Sequence, residues 1–391
     1  MISVAEALDK LFALARPLET ETVPLAQGHG RVLAAPLAAR LTQPPFSASA
    51  MDGYAICEED ACPEIQLRVI GEAAAGHRFE GTVARGNAVR IFTGAPIPAG
   101  ASRVIIQEDV VRDGDMITLG DTLDKGPHIR PAGADFAEGT PFHAPKRLTP
   151  ADIALLAAMN LAELPVIRRP RVAIMSTGDE LVMPGETPGP DQIIVSNSFG
   201  LAALLSDLGA EPRLLPIARD NHDSLRTAFS LIEDADLVLT IGGASVGDHD
   251  LVGNVAADLG MERSFYKIAM RPGKPLMAGR LATGAMMIGL PGNPVSAMVC
   301  GHVFVTPVIR ALQGLPPAPA TEATAALAAP VAANGPREHY MRARIENGQI
   351  TAFNRQDSAL LSVLAAANGL LIRPPNDPAR EAGETVRYIS L

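Results

Sequence analysis

The sequence predicts a multi-domain α/β plus β protein. Its centre is a doubly wound, mainly parallel sheet, with a β domain inserted ahead of it and a small barrel-like β domain at the C-terminal end. Three observations predict this. From Arg171 onward, strand-length apolar runs alternate with helix-length stretches, as βαβ units do. From Tyr54 to about Leu123 the runs are short, alternate in polarity and are bounded by Gly, Pro and Asp, the pattern of an all-β module. Beyond Pro330, RARIENGQITAF reads as a hairpin turning at Asn347-Gly348. At 391 residues several domains are the default.

In order, the first element is a helix over Ser3–Arg16. Ser3 and Glu6 make a capping box, Val4, Leu8, Leu11 and Leu14 form one apolar stripe, and Pro17 stops it. Such a stripe has to be buried, against this chain or a partner subunit. Pro44-Pro45 forces an extended entry into the inserted module, where Met51-Asp52-Gly53-Tyr54 is a turn exposing Asp52. Thr93-Gly94-Ala95-Pro96 is a loop with a hydroxyl and free backbone donors. Residues 126–147 are an ordered Gly/Pro-rich loop in which Arg130 and Asp135 stand out. Thr149 caps the next helix, with Pro150 at its first position and Asp152 in its first turn.

The α/β part begins with the strand RVAIMS and its loop TGDEL. A helix capped by Ser196 or Asn197 follows, then a strand RLLPIA, and a helix through Ile232 for which Asp220 is a natural cap. Next come the strand ending at Ile241, a helix to Leu259, strands near Ser264–Ala269 and Ala285–Leu290, and a helix after Pro294. Met270, Met277, Met286 and Met287 read as core filler. Leu315–Pro330 reads as a Pro/Ala linker, and a helix over Ser358–Ala367 and a strand near Thr385–Ile389 complete the last domain.

Composition narrows the partners. A formal net charge of −10 argues against a general nucleic-acid or membrane-surface binder, so an anionic substrate needs a local basic patch. Aromatics at 4%, with no Trp, disfavour base-stacking platforms. Cys57, Cys62 and Cys300 form no CxxC, which supports neither a zinc cage nor a disulfide framework and makes the cytoplasm the expected home. The N-terminus does not read as a signal peptide, and no apolar run approaches membrane-spanning length.

The most informative stretch is DLVLTIGGASVGDHD, from Asp236 to Asp250. A buried strand breaks at Gly242-Gly243 into a loop leading to a helix, where backbone N–H groups favour an anion. Neighbouring carboxylates would repel that anion unless a divalent cation lay between them. In a doubly wound sheet, ligands bind beyond the carboxyl ends of the strands. The loops Thr177–Glu180, Asp220, Gly242–Asp250 and Gly289–Pro294 therefore share one rim. Asp179, Glu180, Asp220, Asp248 and Asp250 supply carboxylates there, and Lys267, Arg271 and Lys274 supply cations. His249 reads as a loop residue, since no second His lies at ligand spacing, and Ser245 has no assignable base for a Ser-His-Asp triad.

With PPFSASAMDGYA at 44–55, RIFTGAPIPAGA at 90–101, MSTGDEL at 175–181, MRPGKPL at 270–276 and LPGNPVSA at 290–297, the chain resembles the MoeA family of molybdopterin molybdenumtransferases, which includes the C-terminal domain of gephyrin. The motifs occur in order over essentially the full length. The resemblance implies an elongated helical dimerisation region (1–43 and 126–168), an inserted β domain (44–125), a molybdopterin-binding α/β domain (169–314) and a C-terminal β-barrel domain (331–391). It implies an enzyme that takes adenylated molybdopterin and molybdate with Mg²⁺ and gives molybdenum cofactor and AMP.

Carried over residue by residue, it implies catalytic roles for Glu180, Asp220, Asp250, Lys267 and Arg271, the three carboxylates also holding metal. Substrate contacts fall on Asp52, Thr93, Arg130, Asp135, Ser176, Thr177, Gly178, Asp179, Gly242, Gly243, Ser245, Gly247, Lys274, Pro291, Gly292, Asn293, Pro294, Ser358 and Ser362. Asp52, Thr93, Arg130 and Asp135 belong to the inserted region, so a second subunit is expected to bring them to the rim, making a homodimer part of the reading. Further expected partners are a molybdopterin adenylyltransferase and molybdoenzyme apoproteins. Two other readings are a molybdopterin adenylyltransferase, which would release pyrophosphate from ATP, and a non-enzymatic gephyrin-like scaffold.

Overall fold

The computed structural model describes residues 1–243 and 251–391. A six-stranded sheet forms the centre, in the order Glu211–Leu214, Arg171–Ser176, Leu237–Ile241, Met286–Leu290, Met277–Arg280, Glu262–Tyr266. The first four strands are mutually parallel; the fifth runs antiparallel to its neighbour and the sixth reverses again. Leu237–Ile241 and Met286–Leu290 are buried at every position, as strands covered on both faces must be. Side-chain alternation divides the sheet between two cores. Val172, Ile174, Leu237, Leu239 and Ile288 pack with helix Asn197–Asp207 and the helical run after Pro294. Ala173, Met175, Val238 and Met287 pack with helices His222–Phe229 and Leu251–Asp258. The sheet is doubly wound, as expected.

The N-terminal helix, Val4–Leu14, has the expected capping box between Ser3 and Glu6. Its Val4, Ala7, Leu8 and Leu11 join the first of those cores, so this chain, and not a partner, covers the stripe. The other helix of the expected elongated region is Pro150–Ala158, capped by Thr149. The remaining framework there is β: a four-stranded sheet of Thr20–Pro24, Glu163–Ile167, Val32–Leu33 and Lys146–Arg147, with two short ladders. Segments of two to five residues between Pro and Gly breaks are too short to sustain a helix.

The inserted region forms its own six-stranded sheet, Arg103–Ile106, Gly53–Ile56, Asn87–Ile91, Gln66–Ala73, Met116–Leu119 and Val110–Asp113, with an apolar cluster on each face. At the C-terminal end, Glu338–Glu346, Gln349–Ala352, Glu322–Leu327, Thr385–Ser390 and Gly369–Arg373 pair in a closed circuit, because the last strand also pairs the first. Asn347 and Gly348 turn the hairpin with φ of 51° and 77°, the positive values such a two-residue turn requires.

Several expectations are corrected. Glu322–Leu327 is a barrel strand inside the segment read as a linker; its Ala-rich composition hid a register that pairs with Thr385–Ser390. The strand expected at RLLPIA is Glu211–Leu214, because pairing with Arg171–Ser176 selects the earlier residues. Asn221, not Asp220, caps helix His222–Phe229. The helical run Pro294–Leu312, with a π turn at Gly301–Val305, has 19 residues and a mean hydropathy of 1.6, long and apolar enough to cross a bilayer. It is 78% buried on the sheet, as a core helix would be.

Candidate functional site

The rim is built by register. Ser176 pairs with Ile241, and Ile241 with Leu290, so three neighbouring strands end at one level and their following residues face each other. The chain leaves Arg171–Ser176 for one edge of the sheet and returns to Leu237–Ile241 on its other side, which makes the gap between these strands a topological switch point. A cavity of about 610 Å³ opens there. Its walls include Ser176, Thr177, Gly178, Glu180, Asp220, Gly242, Gly243, Pro291, Gly292, Asn293 and Pro294, gathered from four separate loops.

Close backbone packing sets the floor. A Cβ at Gly242 would stand 2.8 Å from the Thr177 carbonyl, so only glycine lets the two loops meet. A Cβ at Gly178 would collide with the Glu180 carboxylate, which lies over that glycine. Gly178 N–H donates to the Ala218 carbonyl at 3.1 Å, and Asp220 N–H to Asp179 Oδ1 at 3.1 Å, fastening the Glu180 loop to the Asp220 loop. Because Asn221 takes the capping role, the Asp220 side chain is left to the cavity wall. Desolvation, then the Asp179 and Glu180 charges, raise the Asp220 pKa above the ordinary carboxylate value. Ser176 Oγ is buried without a hydrogen-bond partner among the described residues, a polar atom with capacity for a ligand.

A second cavity, of about 330 Å³, adjoins the first, sharing Pro275, Pro291 and Asn293. Arg271, Lys274, Arg337, Ser296, Gln356 and Ser358 line it. The barrel closes this side: Asn293 Nδ2 donates to Ser358 Oγ at 3.1 Å, and Val295 N–H to the Ser358 carbonyl at 3.0 Å.

Sequence profiles match the chain in three consecutive blocks: the MoeA N-terminal region (domain I and II) over residues 2–160, a "Probable molybdopterin binding domain" over 173–311, and the MoeA C-terminal region (domain IV) over 324–391. Molybdopterin molybdenumtransferase 2 of Mycobacterium tuberculosis is 38% identical over 407 aligned positions covering 100% of both chains. The chain belongs to the MoeA family. The molybdopterin molybdenumtransferase of Nostoc sp. is 40% identical, covering 81% of this chain and 75% of its own length. The crystal structure of the molybdopterin biosynthesis moeA protein from Pyrococcus horikoshii OT3 superposes with a TM-score of 0.86 at 28% identity, covering 100% of both chains.

In this MoeA chain, not every expected residue gathers at the rim. Lys267, at a φ of 69°, lines neither cavity; its ammonium lies 4.8 Å from the centre of the Tyr266 ring. Ser362, on helix Leu361–Ala366, also lines neither. Asp179 acts through its bond to Asp220 N–H and is not on the wall. Asp52, Thr93, Arg130 and Asp135 lie in the inserted sheet and its flanking loops, outside both cavities. There Asp52 accepts from Thr93 N–H at 2.7 Å and Thr93 Oγ1 at 2.8 Å, and these bonds lower its pKa. Ser245, Gly247 and Asp250 fall outside the described residues.

Reading the sequence missed several wall residues. Asn197 Nδ2 donates to the Gly292 carbonyl at 2.7 Å and so holds the Pro291–Pro294 turn. Ile193 and Ile194 line the first cavity although both are exposed, and Arg337 and Gln356 reach the second from the barrel. Nothing local marks these four apart from ordinary strand or loop residues; only their placement does.

Proposed function

We propose that the chain is a molybdopterin molybdenumtransferase, taking adenylated molybdopterin and molybdate to molybdenum cofactor and AMP in the cytoplasm. The observation that carries this is the pair of adjoining cavities: one with Gly-rich turns, Glu180 and Asp220, the other with Arg271, Lys274 and Arg337. A phosphoanhydride ester needs backbone donors and hard oxygen ligands; a tetrahedral dianion needs guanidinium, ammonium and hydroxyl groups. The two sets meet across Pro275, Pro291 and Asn293.

Mg²⁺ fits the donor set at Glu180 and Asp220. Both are hard oxygen donors on one wall, and Asp220 is held close to like charges, which a cation relieves. Among the described residues no group of three or more His, Cys, Asp or Glu forms a ready-made metal cage, and Asp250, the third proposed ligand, lies outside them. When bound, Mg²⁺ would supply Lewis-acid polarisation of the phosphoryl oxygens. The chain's own groups orient the substrates: the loops after Ser176 and Ile241 seat the adenylated pterin, and Ser358, with Arg271 and Lys274, seats molybdate. Asp52, Thr93, Arg130 and Asp135 are proposed to come from the second subunit of a homodimer; support is their position outside both cavities of their own chain.

The test is purified protein with adenylated molybdopterin, molybdate and Mg²⁺. AMP release together with cofactor that activates an apo-molybdoenzyme is the expected result. No AMP, or pyrophosphate release from ATP instead, would overturn the assignment.

A further inference from the structure

Arg219 stands beside Asp220, in a loop crowded with carboxylates, yet no ion pair joins it to Asp179, Glu180 or Asp220 among the described residues. Its guanidinium is used otherwise. Nη1 donates to the carbonyls of Gly178 at 3.3 Å, Asp179 at 3.0 Å and Leu181 at 3.1 Å. The three acceptors flank Glu180 on both sides, so the main chain from 178 to 181 curls around one nitrogen. From the opposite strand end, Asp179 Oδ1 holds Asp220 N–H, and Arg219 N–H donates to Ser224 Oγ at 2.9 Å. The two acidic loops are thus laced through Arg219 and its neighbours.

We infer that Arg219 is a positioning residue for the metal-binding carboxylates, fixing the Glu180 loop by its carbonyls while leaving the carboxylate oxygens unoccupied. The inference rests on the reading of Glu180 and Asp220 as cation ligands. A lysine or arginine paired directly to those carboxylates would compete with the cation. A guanidinium bonded to carbonyls places a positive charge at the base of the loop, opposes the mutual repulsion of the three acids and takes none of their lone pairs. Arg219 is itself exposed, so its side chain acts on the loop through these hydrogen bonds and not through burial.

Full-length Arg219→Gln and Arg219→Lys are compared with the parent by Mn²⁺ titration, following free Mn²⁺ by electron paramagnetic resonance, and by thermal unfolding. Arg219→Gln is expected to weaken Mn²⁺ binding about tenfold or more, the usual cost of losing an outer-sphere partner, with an unchanged unfolding midpoint. Arg219→Lys, whose ammonium can serve several carbonyls from one nitrogen, is expected to recover to within about threefold of the parent. Parent-like Mn²⁺ affinity in Arg219→Gln would overturn the inference while leaving the metal reading intact. So would equal losses in both variants accompanied by a lowered midpoint, which describe a structural residue. Absence of Mn²⁺ binding in the parent would remove the metal reading, and this inference with it.

Discussion

At Asp220 and Asn221, two adjacent side chains well suited to cap the same helix, Asn221 takes the Ser224 N–H at 2.9 Å. The assignment frees a carboxyl that its surroundings hold above the ordinary pKa, so a proton competes with any cation there as the pH falls. The opposite case is His339, buried at 6% exposure in the barrel wall behind Arg271. Desolvation, then the charges of Arg271, Arg342, Arg373 and Arg337, lower its pKa to about 4. A base whose pKa falls from 6.5 to about 4 on folding binds its proton more readily in the unfolded chain. Its contribution is fully present above pH 6.5 and is lost as the pH falls towards 4. Denaturant unfolding of the parent between pH 7 and pH 4 should therefore show a loss about 3 kcal/mol larger than that of His339→Gln. Parallel pH profiles for the two proteins would contradict it.

Elements were most legible where local rules and tertiary needs agree. Ser3 with Glu6, Thr149 with Asp152, and Asn347-Gly348 are short-range signals, and each appears as a cap or turn in the fold. What the N-terminal helix packs against was not legible, because an apolar stripe names no partner. Leu11 is fully buried among the core residues of the α/β sheet, and Arg280 bonds the Leu14 carbonyl at the helix end. Leu11→Ala should cost about 2–5 kcal/mol of stability, the range for deleting a buried leucine side chain. Near-parental unfolding would show instead that the helix is only loosely attached. Barrel strands were less legible. Gly369–Arg373 is a five-residue run that propensity alone does not distinguish, and its pairing partners lie elsewhere in the chain.

Over the whole molecule, the α/β sheet and the barrel share a core, since Tyr340, Leu370, Ile372 and Ile389 pack with the sheet's first cluster. Beside that shared core, Met270–Arg271 pairs in parallel with Glu338–Glu346 and so carries Arg271 to the junction of the two domains. The inserted sheet presents Asp52 and Thr93 together at its surface, Thr93 exposed and hydrogen-bonded to the Asp52 carboxylate. If a partner subunit completes each site, co-expressed Asp52→Asn and Asp220→Asn chains should recover about a quarter of parental activity, because half the random dimers are mixed and each holds one intact site. If Asp52 serves its own chain's site, no dimer would be active, and a null result would exclude the shared-site arrangement.

Sequence alone determined the α/β-plus-β fold class, the doubly wound alternation and most of the rim loops, because periodicity, caps and Gly-rich breaks act over a few residues. It also brought Glu180 and Asp220 to notice through the motifs around them. Tertiary structure decided which polar groups face a cavity. Strand register set Ser176, Ile241 and Leu290 level, the barrel carried Arg337 and Ser358 to the cations, and a hydrogen bond to Asn221 released Asp220 from capping. The reason is physical: a site on this fold is a coincidence of strand ends, and which ends coincide depends on pairing between segments distant in the chain.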